Sequence, residues 1–252
     1  SEDIALRDLE ETYEAVFQES LSDNELTTTT QLFKAVDVMN FGCTFATKKA
    51  NIGITGAVQV GQAMNLYADT DIITDDILSP FPSDKGKKQS SIGKKVTVDE
   101  AHYLYPFSIN PTNYKDYTDM LPDFDGYTVE AFESFKEAAL ISATALNTNS
   151  KSGCQNEFAL FVTVKENVPL YLPHLDQYVT FEKKNDGNYY NLTKLQELLA
   201  TMSNSIEKIE IYTDPYAIKL EESVLDDENI QVYNIYSKEA VLVWVKKQSH
   251  LR

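Results

Sequence analysis

The chain is poor in the residues that mark several common classes of protein. Its two cysteines, Cys43 and Cys154, are too few for a disulfide framework, and its three histidines are too scattered for metal-ligand spacing. Only Arg7 and Arg252 supply guanidinium groups, so bidentate clamps on phosphate would be few. No apolar run reaches the length of a membrane-spanning helix, and the N-terminus has no basic segment of a secretory signal. These absences predict a cytoplasmic protein with reduced thiols, no metal, no cofactor and no membrane partner.

The pattern of apolar residues predicts helices and strands that alternate along one domain. With 252 residues, of which 42% are hydrophobic, the chain can bury a substantial core. Periodicity predicts helices over residues 3–18, 30–40, 128–146 and 191–206. Strands are predicted at residues 51–65, 101–109, 157–164, 208–213, 230–236 and 240–245. This alternation predicts an α+β fold over residues 1–252.

The acidic residues are unevenly distributed. The net charge is −17, yet residues 38–68, 85–98 and 138–156 contain no Asp or Glu. These acid-free segments hold seven of the nine glycines and eight lysines: Lys48, Lys49, Lys85, Lys87, Lys88, Lys94, Lys95 and Lys151. A charge-free strand is usually buried, and a lysine-rich loop is usually solvated. The coincidence of lysine, glycine and absent carboxylates nevertheless favours an anion-binding surface, because a polyanion needs positive potential and accessible N–H groups.

Two stretches stand out within this distribution. The segment "NIGITGAVQVGQAMN" (51–65) has three glycines and an irregular alternation, which predicts a bulge or a close backbone approach. Residues 70–100 contain prolines and a Gly/Lys/Ser tract, which predicts a long excursion from the core. Long loops of this kind are usually functional or disordered.

Two motifs suggest enzymes but lack their partners. Asp99–His102 spells DEAH, as in helicases, but the required phosphate loop GxxxxGK[ST] is missing, because Gln62 and Ala63 follow the correctly spaced Gly56 and Gly61. The series Ser91-x-x-Lys94, Ser108-x-Asn110 and Lys151-Ser152-Gly153 imitates the penicillin-recognising serine enzymes, but its serine lies in a Gly/Lys loop instead of a rigid helix. Neither motif indicates catalysis.

A resemblance to a known family is carried by four segments: "DVMNFGCTFA", "ITGAVQVGQAMN", "DEAHYLYPFSINP" and "ALNTNSKSGCQNEFALFV". In order and content they resemble the Cas-seven family of backbone subunits from type I CRISPR interference complexes, in the subtype I-B branch. The similarity covers about residues 30–235.

This resemblance implies an RRM-like (ferredoxin-like) palm with inserted finger and thumb elements, and it assigns residues 70–100 to the thumb. The family's first strand has no counterpart in residues 1–30. The implied function is that of a non-catalytic subunit that binds guide RNA (crRNA) in a Cascade complex for antiviral defence. The implied partners are the guide RNA, its paired target nucleic acid, other copies of the chain and other Cascade subunits. Two alternatives stay open: a metal-dependent RNA-cleaving subunit of the type III kind, and a DEAH-type nucleotide hydrolase.

The resemblance and the charge distribution together predict three groups of RNA-binding residues. The first follows the palm strand, where small residues would let phosphates reach the backbone. The second lies in the thumb, and the third is the turn after the third predicted helix. The predicted residues are Lys48, Lys49, Asn51, Gly56 and Gln59, then Lys85, Lys87, Lys88, Lys94 and Lys95, and finally Asn149, Ser150, Lys151, Ser152 and Gly153. No catalytic residue and no metal ligand is predicted.

Overall fold

The computed structural model describes residues 7–82, 90–146, 148–225 and 227–241. The helices in this part are α1 (Leu9–Phe17), α2 (Glu25–Leu32), α3 (Val36–Phe41), α4 (Lys115–Met120), α5 (Val129–Ala145), α6 (Thr193–Thr201) and α7 (Glu222–Leu225). The strands are β1 (Gly42–Ala46), β2 (Asn51–Thr55), β3 (Val58–Val60), β4 (Met64–Asn65), β5 (Ile72–Pro82), β6 (Ser90–Val98), β7 (Tyr103–Leu104), β8 (Phe107–Ile109), β9 (Phe158–Val164), β10 (Thr180–Lys184), β11 (Gly187–Asn191), β12 (Ile206–Thr213), β13 (Ile218–Leu220) and β14 (Ile230–Asn234).

Helix α5 confirms the helix predicted over residues 128–146. The Thr128 side chain caps it by accepting a hydrogen bond from the amide of Ala131 at 3.2 Å, and Glu130 lies in the first turn, where a negative charge is favourable. Phe135 and Leu140 are buried on its inner face. Local signals were sufficient here because cap and apolar stripe lie within one segment.

Three hydrophobic clusters fill the interior of the described residues. The first lies around Tyr114 and joins α1, α2 and α3 to the β1–β2 pair. The second lies under the sheet β10–β11–β13 and is closed by Leu192, Leu195 and Leu199 near α6. The third packs α5 against β9 and β12 through Phe135, among others. Residues 7–57 and 110–241, which contain most of these clusters, are termed the body.

The body's second sheet has the order β14–β12–β9, with β12 parallel to β14 and antiparallel to β9. Both of its faces are covered, because Val232 belongs to the second cluster and Tyr212 to the third. The observed fold is therefore a mixed α/β arrangement of small sheets, which confirms the coarse class. The RRM-like palm stays a prediction.

Three antiparallel strand pairs follow one another outward from the body. They are β3–β8, then β4–β7, then β5–β6, and together they form one interrupted two-stranded ribbon. Its outer part, β5 and β6, is termed the arm. The apolar arm residues Ile72, Ile73, Ile77, Val96 and Val98 are 41–62% exposed, so the described side chains of the arm form no core of their own.

Some predictions differ from the structure. The strand predicted over residues 51–65 is divided into β2, β3 and β4, each paired with a different strand, because β2 belongs to the β1–β2 pair and the other two to the ribbon. In α1 only Tyr13 is buried, while Val16 is 61% exposed. Of the strand predicted at 240–245, Ala240 bridges to Tyr233, and residues 242–245 lie outside the described part. Among the described helices, none is long and apolar enough to cross a membrane.

Candidate nucleic-acid interface

The buried glycine at position 56 lies against the backbone of the α3–β1 junction. A Cβ atom at Gly56 would lie 2.2 Å from the carbonyl carbon of Phe41 and 2.5 Å from the amide nitrogen of Gly42. Gly42 has φ +71°, a conformation that favours glycine, and it meets Ile54 and Gly56 just as closely. Packing within the chain, and not an approaching phosphate, therefore explains the glycine at position 56. Contact between Gly56 and RNA stays a prediction.

The other two glycines of this stretch differ from each other. At Gly61 a Cβ atom would lie 2.9 Å from Cγ of Pro106, and the Gly61 amide donates a 2.7 Å hydrogen bond to the Pro106 carbonyl. At the exposed Gly53, by contrast, no atom of the described residues other than its two chain neighbours lies within 4 Å of an added Cβ. Gly53 is therefore the glycine of this stretch that leaves room for a ligand.

A buried tyrosine, which the sequence did not single out, fixes the backbone beside Gly56. The hydroxyl of Tyr114 donates to the Met39 carbonyl at 2.7 Å and accepts from the Ala57 amide at 3.1 Å. The side-chain amide groups of Gln59 and Asn113 both donate hydrogen bonds to the Gly56 carbonyl, each at 2.9 Å. The predicted RNA contact Gln59 is exposed, but its side-chain amide is engaged by this bond to the Gly56 carbonyl.

The turn between β1 and β2 carries the predicted contacts Lys48, Lys49 and Asn51. Lys49 forms an ion pair with Glu10 of α1, and this hydrogen bond raises the pKa of its ammonium group. The Asn51 amide donates to Oε1 of Glu25 at 3.2 Å. Acid that is distant in sequence is thus close in space. Within the described residues, Lys48 has no carboxylate partner and is the cation of this turn that stays available.

The arm brings carboxylates opposite its lysines. In the β5–β6 register, Lys94 is paired with Asp76, and Lys95 with Asp75. Directly opposed residues of an antiparallel pair point to the same face. The segment 85–98 is therefore free of acid in sequence, but its described part is not free of acid in space. Lys85, Lys87 and Lys88 lie outside the described residues.

The turn after α5 is exposed and held at its end by one side chain. Asn156 accepts from the amide of Ala143 at 2.9 Å and donates to the carbonyl of Ala139 at 2.9 Å, which inserts it into the last turns of α5. The predicted contacts Asn149–Gly153 are all exposed, and Gly153 has φ +86°. In the part of the chain with described side chains, no carboxylate pairs with Lys151.

The structure places the Lys48–Lys49 turn and Gly56 at different ends of one strand. The innermost strand pair of the ribbon, β3–β8, lies against α5, because the rings of Phe107 and Phe135 have centroids 5.1 Å apart. The Lys48–Lys49 turn is at the opposite end of β2 from Gly56, roughly 16 Å away at the usual rise per strand residue. A ligand that touched both ends of β2 would have to span about this distance.

The DEAH residues do not face a phosphate loop. Asp99 and Glu100 accept hydrogen bonds from backbone amides and from Lys183, respectively, and these bonds lower the pKa of each carboxyl. Across the residues that the structure describes, no group of three His, Cys, Asp or Glu side chains is placed to hold a metal ion.

Comparison with known proteins identifies the family. A family model described as CRISPR-associated protein Cas7 matches residues 3–208, which is most of the chain. The chain belongs to the Cas7 family. No curated protein matches it. A solved structure entitled "CRISPR RNA-guided surveillance complex, pre-nicking" is similar over 89% of this chain, with 13% identity and a TM-score of 0.46, and this Cas7 chain spans 60% of that chain's length.

Proposed function

We propose that this Cas7 chain is a non-catalytic backbone subunit that binds guide RNA in a CRISPR interference complex of type I, in the I-B branch. The family match over residues 3–208 carries this proposal. The charge distribution supports it, since the exposed turn at 149–153 contains no Asp or Glu.

The proposed mode of binding uses the RNA backbone and not the bases. Lys48, Lys151 and the arm lysines supply point charges, and the exposed turn after α5 supplies N–H groups. Such contacts carry no sequence information, which suits a subunit that must accept any guide. One RNA strand would run across these contacts.

The arm is the surface proposed for contact with a neighbouring copy. A lone two-stranded hairpin is marginally stable in water, and this one exposes Ile72, Ile77 and Val96. Contact with another copy would cover these side chains as copies assemble along the RNA. The same contact would hold the arm lysines near the RNA strand.

The two alternatives need features that the described residues lack. A metal-dependent nuclease needs carboxylates that converge on a fixed site, and no such group is present in the described part. A nucleotide hydrolase needs a phosphate loop, which the whole sequence lacks. Both remain outcomes of the test below.

The test is co-expression with a CRISPR array, followed by purification and a time course on labelled RNA. We expect the purified protein to carry RNA, seen as a raised ratio of absorbance at 260 to 280 nm. We also expect bound guide and complementary RNA to stay intact with Mg²⁺ or Mn²⁺, and ATP to stay unhydrolysed. Regularly spaced, metal-dependent cuts would favour the nuclease. Loss of those cuts in Asp99→Ala and Glu100→Ala would place its site at the DEAH residues.

A further inference from the structure

The DEAH residues lie where the arm leaves the rest of the ribbon. This position, between the pairs β4–β7 and β5–β6, is termed the arm joint and comprises residues 65–71 and 99–102. Both chain passages cross it, one outward and one returning. Its geometry therefore determines the direction in which the arm points.

Hydrogen bonds tie the two passages together. Oδ1 of Asn65 accepts from the His102 amide at 3.0 Å, and the Thr70 hydroxyl donates to the Glu100 carbonyl at 2.8 Å. Oδ1 of Asp99 accepts from the Asp71 amide at 2.8 Å. The Leu66 amide also donates to the His102 carbonyl at 2.8 Å, so side-chain and backbone hydrogen bonds together hold the joint.

The His102 ring ties this joint to the body. The side chain is buried, its Nδ1 lies 2.9 Å from Oε2 of Glu157, and its Nε2 lies 3.3 Å from Oε1 of Glu100. Glu157 immediately precedes β9 in the body. The ring also stacks on Phe181 of β10, with centroids 3.9 Å apart and an interplanar angle of 21°.

Both ring nitrogens face carboxylates, and only the imidazolium form can donate from both. Burial lowers the pKa of His102, but the hydrogen bonds to Glu157 and Glu100 outweigh it and raise the pKa above its usual value. Three other titratable groups face the ring. They are Tyr190 on β11, whose hydroxyl is 3.5 Å from Nδ1, Tyr67 of the joint, whose ring packs edge-on with centroids 6.3 Å apart, and Lys183 on β10, which pairs with Glu100. Burial also raises the pKa of Tyr190, which keeps that hydroxyl neutral.

We propose that His102 is a positioning residue that fixes the arm to the body through Glu100 and Glu157, and that loss of its ring proton frees the arm. A group with a raised pKa in the folded state stabilises that state fully below its ordinary value, about 6.5 for His. The tie is therefore complete near pH 6 and is lost as the pH rises through the folded-state value.

The primary test needs no RNA. Hydrogen exchange would be measured from pH 6 to pH 9 on peptides covering the joint amides of Leu66, Asp71 and His102, as protection factors corrected for intrinsic rates. We expect protection in the native chain to fall about tenfold across this range. His102→Gln should show low protection at pH 6 and a flat profile, while the exposed His174→Gln should keep the native profile. Peptides from β12 serve as the reference for global stability.

Arm direction is measured separately by pulsed electron paramagnetic resonance. Spin labels at Thr97→Cys on the arm and Lys194→Cys on the body, in a chain with Cys43→Ser and Cys154→Ser, should give one narrow distance distribution at pH 6 and a broad one at pH 9. If His102→Gln does not fold, Glu157→Gln should move the midpoint of both profiles to lower pH. Profiles that do not change with pH, or that are the same in native chain and variants, would overturn the proposal.

The consequence for RNA rests on the proposed function. Affinity for single-stranded RNA should fall a few-fold between pH 6 and pH 9 in the native chain and stay flat in His102→Gln. A chain that binds no RNA but shows the expected exchange profile refutes the RNA proposal and leaves the joint intact. Normal RNA binding with a flat exchange profile refutes the proposal for the joint and leaves the RNA proposal intact.

Discussion

The body and the arm contain similar apolar residues but differ in how much of them they bury. Both are rich in branched apolar side chains, yet in the body Leu192 and Val224 are fully buried, whereas in the arm Ile72 and Val96 are about 60% exposed. The stability of the fold is therefore concentrated in the body. The arm leaves its described apolar side chains exposed, and in the inference above it depends on the joint at His102 for its direction.

A segment without acidic residues in sequence is not always without acidic neighbours in the folded chain. Acid is absent from residues 38–68 and 85–98 in sequence. In the folded chain, however, Glu10 pairs with Lys49, and Asp76 is opposite Lys94. The turn at 149–153 is different, since its Lys151 keeps its charge unpaired among the described side chains. The charge of a surface therefore cannot be predicted from sequence alone, because the strand register determines which charges lie together.

The largest expected effect contrasts one side chain from each region. Leu192→Ala removes a fully buried side chain of the second cluster and should lower the free energy of unfolding by about 3 kcal/mol. Ile73→Ala on the arm should change it by less than about 0.5 kcal/mol, because the side chain is half exposed. Urea denaturation followed by circular dichroism measures both. Equal losses would show that the arm contributes to the core.

The next contrast concerns the glycines. Gly56→Val should lower the free energy of unfolding by about 2 kcal/mol, because a side chain there meets the backbone of Phe41 and Gly42. Gly53→Val should leave stability almost unchanged and reduce RNA affinity, since the space in front of Gly53 is open within the described residues. Thermal melts and RNA titrations at low temperature separate the two effects. Reduced affinity at Gly56 beyond its stability loss would restore Gly56 as an RNA contact.

A smaller effect is expected from a buried ion pair of the body. Burial raises the pKa of Glu210, but hydrogen bonds from Lys208 and Lys136 outweigh it, so the pKa is lowered. The ion pair therefore stabilises the fold above the usual Glu value and is lost as the pH falls through the folded-state value. Glu210→Gln should cost about 1 kcal/mol at pH 7 and converge with the native chain as the pH falls through the folded-state pKa of Glu210. Urea denaturation at several pH values tests this, with the exposed Glu207→Gln as the control that should match the native chain throughout.

How much could be predicted depended on the range of the interaction. Helix α5 was predicted with its Thr128 cap because the cap, first turn and apolar stripe are local. The division of residues 51–65 was not, because each piece takes its partner from a different part of the chain. The role of Tyr114 had no local signal, since it lies in an ordinary "NPTNY" turn. The DEAH letters had no predicted role, because the sequence lacks the phosphate loop they need, and their contacts with Asn65 and Glu157 are visible only in three dimensions.

The central claim, that the arm lysines hold the RNA backbone, is tested most directly by the salt dependence of binding to single-stranded RNA. One variant replaces Lys85, Lys87, Lys88, Lys94 and Lys95 by Ala. The charge-matched control replaces five exposed lysines of the body, Lys115, Lys165, Lys184, Lys194 and Lys219, by Ala. The slope of log affinity against log salt should fall by about 0.7 for each phosphate that the arm variant no longer binds, and should stay at the native value in the control. An unchanged slope in the arm variant, or an equal change in the control, would contradict the claim.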